Sequence, residues 1–166
     1  KKNVLVLYYS RTGYTETVAR DLAQQIGADI EDIKPAFARG IFFDALRAAI
    51  GKRGAAKPLV HDVGQYDLVL IGTPIWLGGL VPDVRAALYD IRSQMPAYAA
   101  FATSGAGPPQ KGFSAMEAVL GKAPVATVSI KDKVVQTDDG RAVVAAFAQR
   151  IKGFVMERKK EALEAL

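Results

Sequence analysis

The stretch from residue 4 to residue 17, VLVLYYSRTGYTET, constrains the fold of this 166-residue chain more than any other. The apolar run at residues 4–7 and the two tyrosines after it are typical of a strand that is buried on both faces. Small hydroxylated residues follow around one glycine. A helical pattern then starts at once, with Val18, Leu22 and Ile26 spaced four residues apart on one face.

The turn after this first predicted strand has the chemistry of a phosphate site. The first amides of a helix have no partner within the helix, and the helix dipole adds positive charge there. Gly13 lets the backbone approach an anion closely, and Ser10, Thr12 and Thr15 can donate hydroxyl hydrogen bonds without adding charge. The alternative is that Ser10 and Thr12 merely cap the helix. Neither a dinucleotide fingerprint nor a Gly-Lys-Ser/Thr loop follows the strand, which favours the phosphate monoester of a tightly held cofactor.

The motif SRTGYT at residues 10–15 resembles the phosphate loop of the flavodoxin family, Thr/Ser-x-Thr-Gly-x-Thr. The resemblance covers essentially the whole chain and implies a bound flavin mononucleotide (FMN). It assigns the phosphate to Ser10, Arg11, Thr12, Gly13, Tyr14 and Thr15.

Five strand–helix units predict an α/β fold with a parallel sheet, right-handed crossovers and helices on both faces. The predicted strands are residues 4–9, 28–33, 68–71, 97–103 and 125–130. Helices are predicted after each of them, including one at residues 37–50 and a last one that Asp138 and Asp139 cap and that frays beyond Glu157. With the resemblance, this is a flavodoxin-like three-layer α/β/α sandwich of the short-chain type, with strand order 2-1-3-4-5 and one domain over residues 1–166.

Ligands of such sheets bind beyond the carboxyl ends of the strands, where the strand order reverses. The loops with unusual chemistry follow the first, third and fourth predicted strands, so they meet at that edge. The second of these loops contains Trp76, the single tryptophan of the chain, beside two glycines. A flat ring there suits stacking on a flat cofactor, and a surface-packing anchor is the alternative.

The resemblance assigns the second loop to the flank of the flavin ring and the third loop to its pyrimidine end, mostly through backbone groups. The residues of the second loop are Thr73, Pro74, Ile75, Trp76, Leu77 and Gly78. Those of the third are Thr103, Ser104, Gly105, Ala106 and Gly107. The third loop departs from carrier flavodoxins because it has no tyrosine to stack on the outer flavin face. An open face would leave room for a nicotinamide or a quinone.

The composition limits the chemistry. The chain has no cysteine, which removes disulfides, thiolate catalysis and the common zinc and iron–sulfur ligand sets. Because no cluster of His, Asp and Glu is present, no metal site is predicted. No signal peptide or membrane-spanning run fits the sequence, so we expect a cytoplasmic protein that does not associate with a membrane.

The net charge of +5 is unlike that of acidic carrier flavodoxins. Six basic residues lie between residues 34 and 60, against Asp44 alone. Such a stretch suits an acidic partner, a phosphorylated substrate or nucleic acid, or is simply a solvated helix face. Aromatic residues for base stacking are not interleaved with it, so we expect no nucleic-acid partner.

The sequence therefore predicts electron transfer through non-covalent FMN, with a redox protein or a small molecule as the partner. The alternative is an NAD(P)H-dependent reductase of a quinone or flavin that uses the same cofactor. The hypothesis from another functional class, outside redox proteins, is a receiver-like signalling domain or an interaction domain. It is disfavoured, because receivers need clustered aspartates after the first strand and a lysine after the fifth.

Overall fold

The computed structural model describes residues 2–37 and 40–165 of the chain. Its strands are β1 (Lys2–Tyr8), β2 (Asp29–Asp32), β3 (Tyr66–Trp76), β4 (Gly79–Leu80), β5 (Ala97–Ser104) and β6 (Thr127–Lys131). Its helices are α1 (Tyr14–Ile26), α2 (Ile41–Ala49), α3 (Pro82–Ile91), α4 (Gln110–Leu120) and α5 (Asp138–Glu164). One 3-10 turn, at Val63–Gln65, precedes β3, and another, at Asp132–Val134, follows β6.

Five parallel strands pair in the order β2-β1-β3-β5-β6, which is the predicted order 2-1-3-4-5. The two-residue strand β4, which the sequence did not predict, pairs with the end of β3 in antiparallel fashion. Because side chains of a strand alternate between faces, Val4 and Val6 of β1 face one side of the sheet while Leu5 and Leu7 face the other.

The two faces of the sheet carry separate apolar cores. One core packs the sheet against α1 and α5, with Leu22 and Ile151 fully buried. The other packs it against α3 and α4, with Leu88 and Met116 fully buried. The result is the predicted α/β/α sandwich, and the flavodoxin-like fold is confirmed.

Three predicted boundaries were wrong. The helix expected at residues 37–50 begins at Ile41, because Gly40 is extended and Pro35 is bridged to Ala56; Ala38 and Arg39 lie outside the described residues. The strand expected at residues 68–71 continues through Trp76, since Ile75 pairs with Leu80.

The third correction concerns α5, which does not end near Glu157 and continues to Glu164. Its last turns consist of strong helix formers, and Lys160 and Glu164 form an i,i+4 ion pair of 3.8 Å. The helix is capped by Thr137, whose Oγ1 accepts a hydrogen bond from the amide of Gly140, and not by the two aspartates that follow it.

Candidate functional site

The loops after β1, β3 and β5 lie at one edge of the sheet, because the three strands are parallel neighbours and end together. The connection after β1 leads to β2 on one side of β1, and the connection after β2 leads to β3 on the other side of β1. This is the topological switch point at which open α/β sheets form a crevice for ligands. The predicted convergence of the three loops is therefore what the topology shows.

The first loop forms an uncapped helix N-terminus. Gly13 is the N-cap of α1 with φ 94°, a left-handed conformation that favours glycine, and no side chain caps the helix there. The hydroxyl of Ser10 instead accepts a hydrogen bond of 3.1 Å from the amide of Gly13 itself. Arg11 and Thr12 are exposed beside it. The helix-capping alternative for Ser10 and Thr12 thus has no support, and the first amides of α1 stay available to an anion.

A buried pair of hydroxyls joins the first loop to the third. The Oγ1 atoms of Thr15 and Thr103 lie 2.8 Å apart, and each residue is about 1% exposed. Thr15 thus faces β5 and not solvent. A hydroxyl carries one donor and two acceptor positions, so the pair keeps further hydrogen-bonding capacity after its mutual bond.

The second predicted loop is a β-hairpin and not an irregular loop. Its two-residue turn is formed by Leu77 and Gly78, both with positive φ, at 49° and 76°. Positive φ at both positions is the requirement of a type I′ turn, whose twist matches that of the flanking strands. Leu77 is the one non-glycine residue with positive φ in the described part of the chain. Such a conformation costs a leucine roughly 1–2 kcal/mol, so the surrounding structure holds the turn in place.

Trp76 stands at the end of β3, just before this turn, and is half-buried. Its ring meets the ring of Tyr9 edge to face, with centroids 5.8 Å apart and an interplanar angle of 80°. The guanidinium of Arg11 lies 6.0 Å from the centre of the Trp76 ring. The first and second loops therefore touch through a cation–π and an aromatic contact.

Two close approaches fix the hairpin in position. A Cβ on Gly79 would come within 2.2 Å of the carbonyl oxygen of Ala48, so α2 lies directly on β4. A Cβ on Gly112 would come within 2.4 Å of Ile75, so α4 packs equally closely on the end of β3. Thr73, deep in the strand, is fully buried and its hydroxyl bonds the carbonyl of Pro74 at 2.9 Å.

The third loop leaves β5 after the buried Ser104 and exposes small residues from Gly105 to Gly107. A Cβ on Gly107 would lie 3.9 Å from the amide nitrogen of Gly78, which places the second and third loops side by side. A Cβ on Gly105 would lie 3.4 Å from Oδ2 of Asp132, and burial raises the pKa of this aspartate.

Sequence reasoning missed two residues at this edge. Tyr9 was assigned only to the buried strand, yet its ring is the neighbour of Trp76. Asp132 directly follows β6, the fifth parallel strand, and was not predicted as a site residue. Its position just beyond a parallel strand was the available signal, because such strands end at the same edge.

Two absences hold for the described residues. Within residues 2–37 and 40–165, no group of three or more His, Asp or Glu side chains is placed to hold a metal. No helix in these ranges is long and apolar enough to cross a membrane.

Comparisons with known proteins agree with this architecture. No protein-family model matches the chain. A flavodoxin of Haemophilus influenzae is 31% identical over 74 residues, which is 45% of this chain and 32% of that protein, so the similarity spans about a third of the relative's length.

Two solved structures resemble the fold over most of its length. One is a flavoprotein of Lactobacillus acidophilus in complex with FMN, with a TM-score of 0.67 and 22% identity over 81% of this chain and 96% of that one. The other is oxidised flavodoxin 1 of Bacillus cereus, with a TM-score of 0.60 and 17% identity over 90% and 97% of the two chains. The predicted resemblance to flavodoxins is confirmed by the fold and by the partial sequence similarity.

Proposed function

We propose that this chain binds FMN non-covalently at the carboxyl edge of its sheet and acts in electron transfer. The observation that carries the proposal is the convergence of three chemically distinct loops at the switch point. The hydroxyl bond between Thr15 and Thr103 and the contact of Arg11 with Trp76 tie these loops together. The FMN complex of the Lactobacillus acidophilus flavoprotein supports the choice of cofactor.

The first loop fits a phosphate monoester. The left-handed glycine Gly13 opens the N-terminus of α1, and nothing lies within 4 Å of the position its Cβ would take. The helix offers amides and a positive dipole end, and Thr12 offers an exposed hydroxyl. The hydroxyls of Ser10 and of the buried Thr15 keep hydrogen-bonding capacity beyond the bonds they already form. Arg11 is an exposed cation at the rim. This donor set binds a phosphate without a metal ion.

The second and third loops fit a flat ring with polar edges. Trp76 offers an aromatic face, and backbone groups of the turn at Leu77 and Gly78 and of residues 104–107 would face the polar edges of the flavin. The flavin would supply the electron chemistry when bound, and the chain supplies the binding groups and the electrostatics. A redox protein or a small-molecule acceptor would exchange electrons at this edge, and we propose a cytoplasmic location for the protein.

An FMN titration of the purified protein tests the proposal. Visible flavin bands should shift on binding, and the fluorescence of Trp76, the single tryptophan, should be quenched and should recover when the flavin is removed. Trp76→Ala should weaken FMN binding while the far-ultraviolet circular dichroism stays unchanged. A wild-type protein that ignores added FMN would refute the function. Unchanged affinity in the variant would make Trp76 a packing residue only.

One observation favours the second function, NAD(P)H-dependent reduction of a quinone or flavin. The third loop exposes glycine, alanine and proline from Gly105 to Pro108, so no aromatic side chain of this loop covers the site. Anaerobic mixing of the FMN-loaded protein with NADPH or NADH distinguishes the two functions. Bleaching of the flavin band within seconds, without an added reductase, would establish the reductase and exclude the simple carrier.

A further inference from the structure

Arginines from two separate segments gather around one tyrosine on the outer side of α3. The guanidinium carbon of Arg53 lies 4.2 Å from the centre of the Tyr89 ring, and that of Arg92 lies 3.6 Å from it. Tyr89 is 41% exposed. Both guanidinium groups are thus held in place by an aromatic surface and do not extend freely into water.

Two further arginines join this group. Arg47 of α2 donates a hydrogen bond of 2.7 Å from Nη2 to the carbonyl of Arg53. Arg85 lies four residues before Tyr89 on α3, and its Nη2 is 3.8 Å from the Cβ position of Gly51. We call Arg47, Arg53, Arg85 and Arg92 the arginine cluster.

The charges of the arginine cluster are not neutralised within the described residues. None of the four forms an ion pair with a side chain that the structure describes, and within that set the Nε atoms of Arg47 and Arg85 are buried without a hydrogen-bond partner. Burial lowers the pKa of Arg85. The acidic neighbour Asp83 is buried, and its Oδ1 accepts a hydrogen bond from the amide of Ala55. Partly buried positive charge without an anionic partner is costly, so the cluster is suited to an external anion.

An apolar stripe runs beside the arginine cluster on α2 and the residue after it. Phe43, Leu46 and Ile50 are spaced so that they share one face, and they are 66%, 48% and 60% exposed. Arg47 of the cluster lies four residues after Phe43 and three before Ile50, so it shares their face and joins the stripe to the cluster. Exposed apolar residues grouped in this way mark interaction sites.

This surface borders the candidate FMN site. Helix α2 lies on β4 through the contact of Ala48 with Gly79, three residues after Trp76. Leu77 lies in the hairpin turn between Trp76 and Gly79 and is 68% exposed. The stripe lies on the face of α2 opposite Ala48, so a molecule seated on it would be separated from the hairpin that carries Trp76 by the width of one helix, about 10 Å.

We propose that the apolar stripe and the arginine cluster form the docking surface for an acidic protein partner in electron transfer. The proposal rests on the function proposed above. Arginine and tyrosine around an apolar centre have the composition of protein–protein hot spots, and guanidinium groups pair bidentately with carboxylates. Bases have no open ring to stack on at the arginine cluster itself, because two guanidinium groups lie on Tyr89.

The test is a binding titration of the FMN-loaded protein with an acidic [2Fe–2S] ferredoxin, with a basic cytochrome c as the opposite-charge probe. The test variant is Arg53→Gln/Arg92→Gln. The control is Arg150→Gln/Arg158→Gln on α5, which removes the same charge and also breaks an arginine–aromatic contact, that of Arg158 with Phe154. Added salt should weaken the ferredoxin complex, and cytochrome c should not bind.

We expect the cluster variant to weaken the ferredoxin complex at least about thirtyfold, as hot-spot truncations do, and the control to weaken it less than about threefold. Leu46→Ser/Ile50→Ser should weaken it while leaving the salt dependence in place. Equal losses in the two arginine variants would show only an effect of net charge and would overturn the proposal. Absence of ferredoxin binding at low salt would overturn it as well.

Binding to vesicles that contain phosphatidylglycerol tests the alternative that this surface binds a membrane. Vesicle binding that the cluster variant loses, without ferredoxin binding, would assign the surface to a lipid headgroup and contradict the proposal. FMN and ferredoxin titrations of the wild-type protein separate the two hypotheses. Ferredoxin binding without FMN binding would refute the flavin function alone, whereas normal FMN binding without ferredoxin binding would refute this surface alone. The cluster variant should bind FMN as the wild type does.

Discussion

Strand β1 and the segment that joins β2 to β3 are both rich in apolar residues, yet they bury them very differently. Residues 4–7 of β1 are at most 3% exposed, and both faces of the strand are covered by helices. In the joining segment, Phe43, Leu46 and Ile50 are all about half exposed or more. The comparison shows that apolar content predicts burial only where the pattern also fixes a position in the sheet.

The largest expected effect tests this difference in burial directly. Leu70→Ala in β3 should lower the free energy of unfolding by about 2–5 kcal/mol, because the leucine is fully buried and a cavity would remain. Leu46→Ala on α2 removes the same atoms from a side chain that is 48% exposed and should change stability by no more than about 0.5 kcal/mol. Urea unfolding of both variants measures the contrast, and equal losses would contradict it.

The burial of the strands is the part that the sequence predicted well. Uninterrupted apolar runs such as residues 68–71 have one stable placement, between two layers of helices. The hairpin was missed because Ile75 and Leu80 pair across a turn that contains Leu77, and leucine rarely adopts a positive φ. Its position is set by α2 and α4, and contacts of this kind leave no periodic pattern in a sequence.

The candidate site was predicted in composition and not in detail. The hydroxyls, glycines and single tryptophan were visible as residue types after predicted strands. That Thr15 bonds Thr103 and that Tyr9 touches Trp76 depends on the register between strands that lie far apart in the sequence. The arginine cluster was foreseen only as a basic stretch, since Arg85 and Arg92 join it from α3.

The contact between α2 and the hairpin offers a second, smaller effect. Gly79→Ala would place a methyl group within 2.2 Å of the backbone oxygen of Ala48, and we expect a loss of about 1–3 kcal/mol of stability together with faster amide exchange in α2. Gly153→Ala on α5 is the control, because nothing lies within 4 Å of its Cβ position. It should be neutral or slightly stabilising, since alanine is the better helix former. If α2 kept its amide protection in Gly79→Ala, its packing on β4 would be unimportant.

The smallest expected effect concerns pH and the third loop. Burial raises the pKa of Asp132 above its ordinary value of 3.8, so the native state disfavours the ionised carboxylate relative to the unfolded chain. Stability that is present while the group is protonated is lost as the pH rises through the raised pKa. Asp132→Asn should therefore gain stability over the wild type between about pH 3.5 and pH 7. Urea unfolding at both pH values measures this gain in stability, and Asp90→Asn is the control because Asp90 is exposed. The same gain in both variants would show that burial of Asp132 is not its cause.

The most direct test of the central claim, that the first loop holds the phosphate of FMN, compares FMN with riboflavin, which has no phosphate. Thr12→Val removes one exposed hydroxyl, and Thr17→Val is the control, because the hydroxyl of Thr17 bonds the carbonyl of Gly13 at 2.9 Å. A hydrogen bond to a charged group contributes about 1.5–3 kcal/mol, so Thr12→Val should weaken FMN binding at least about tenfold and leave riboflavin binding nearly unchanged. Equal weakening of both ligands, or no weakening of either, would show that this loop does not bind the phosphate.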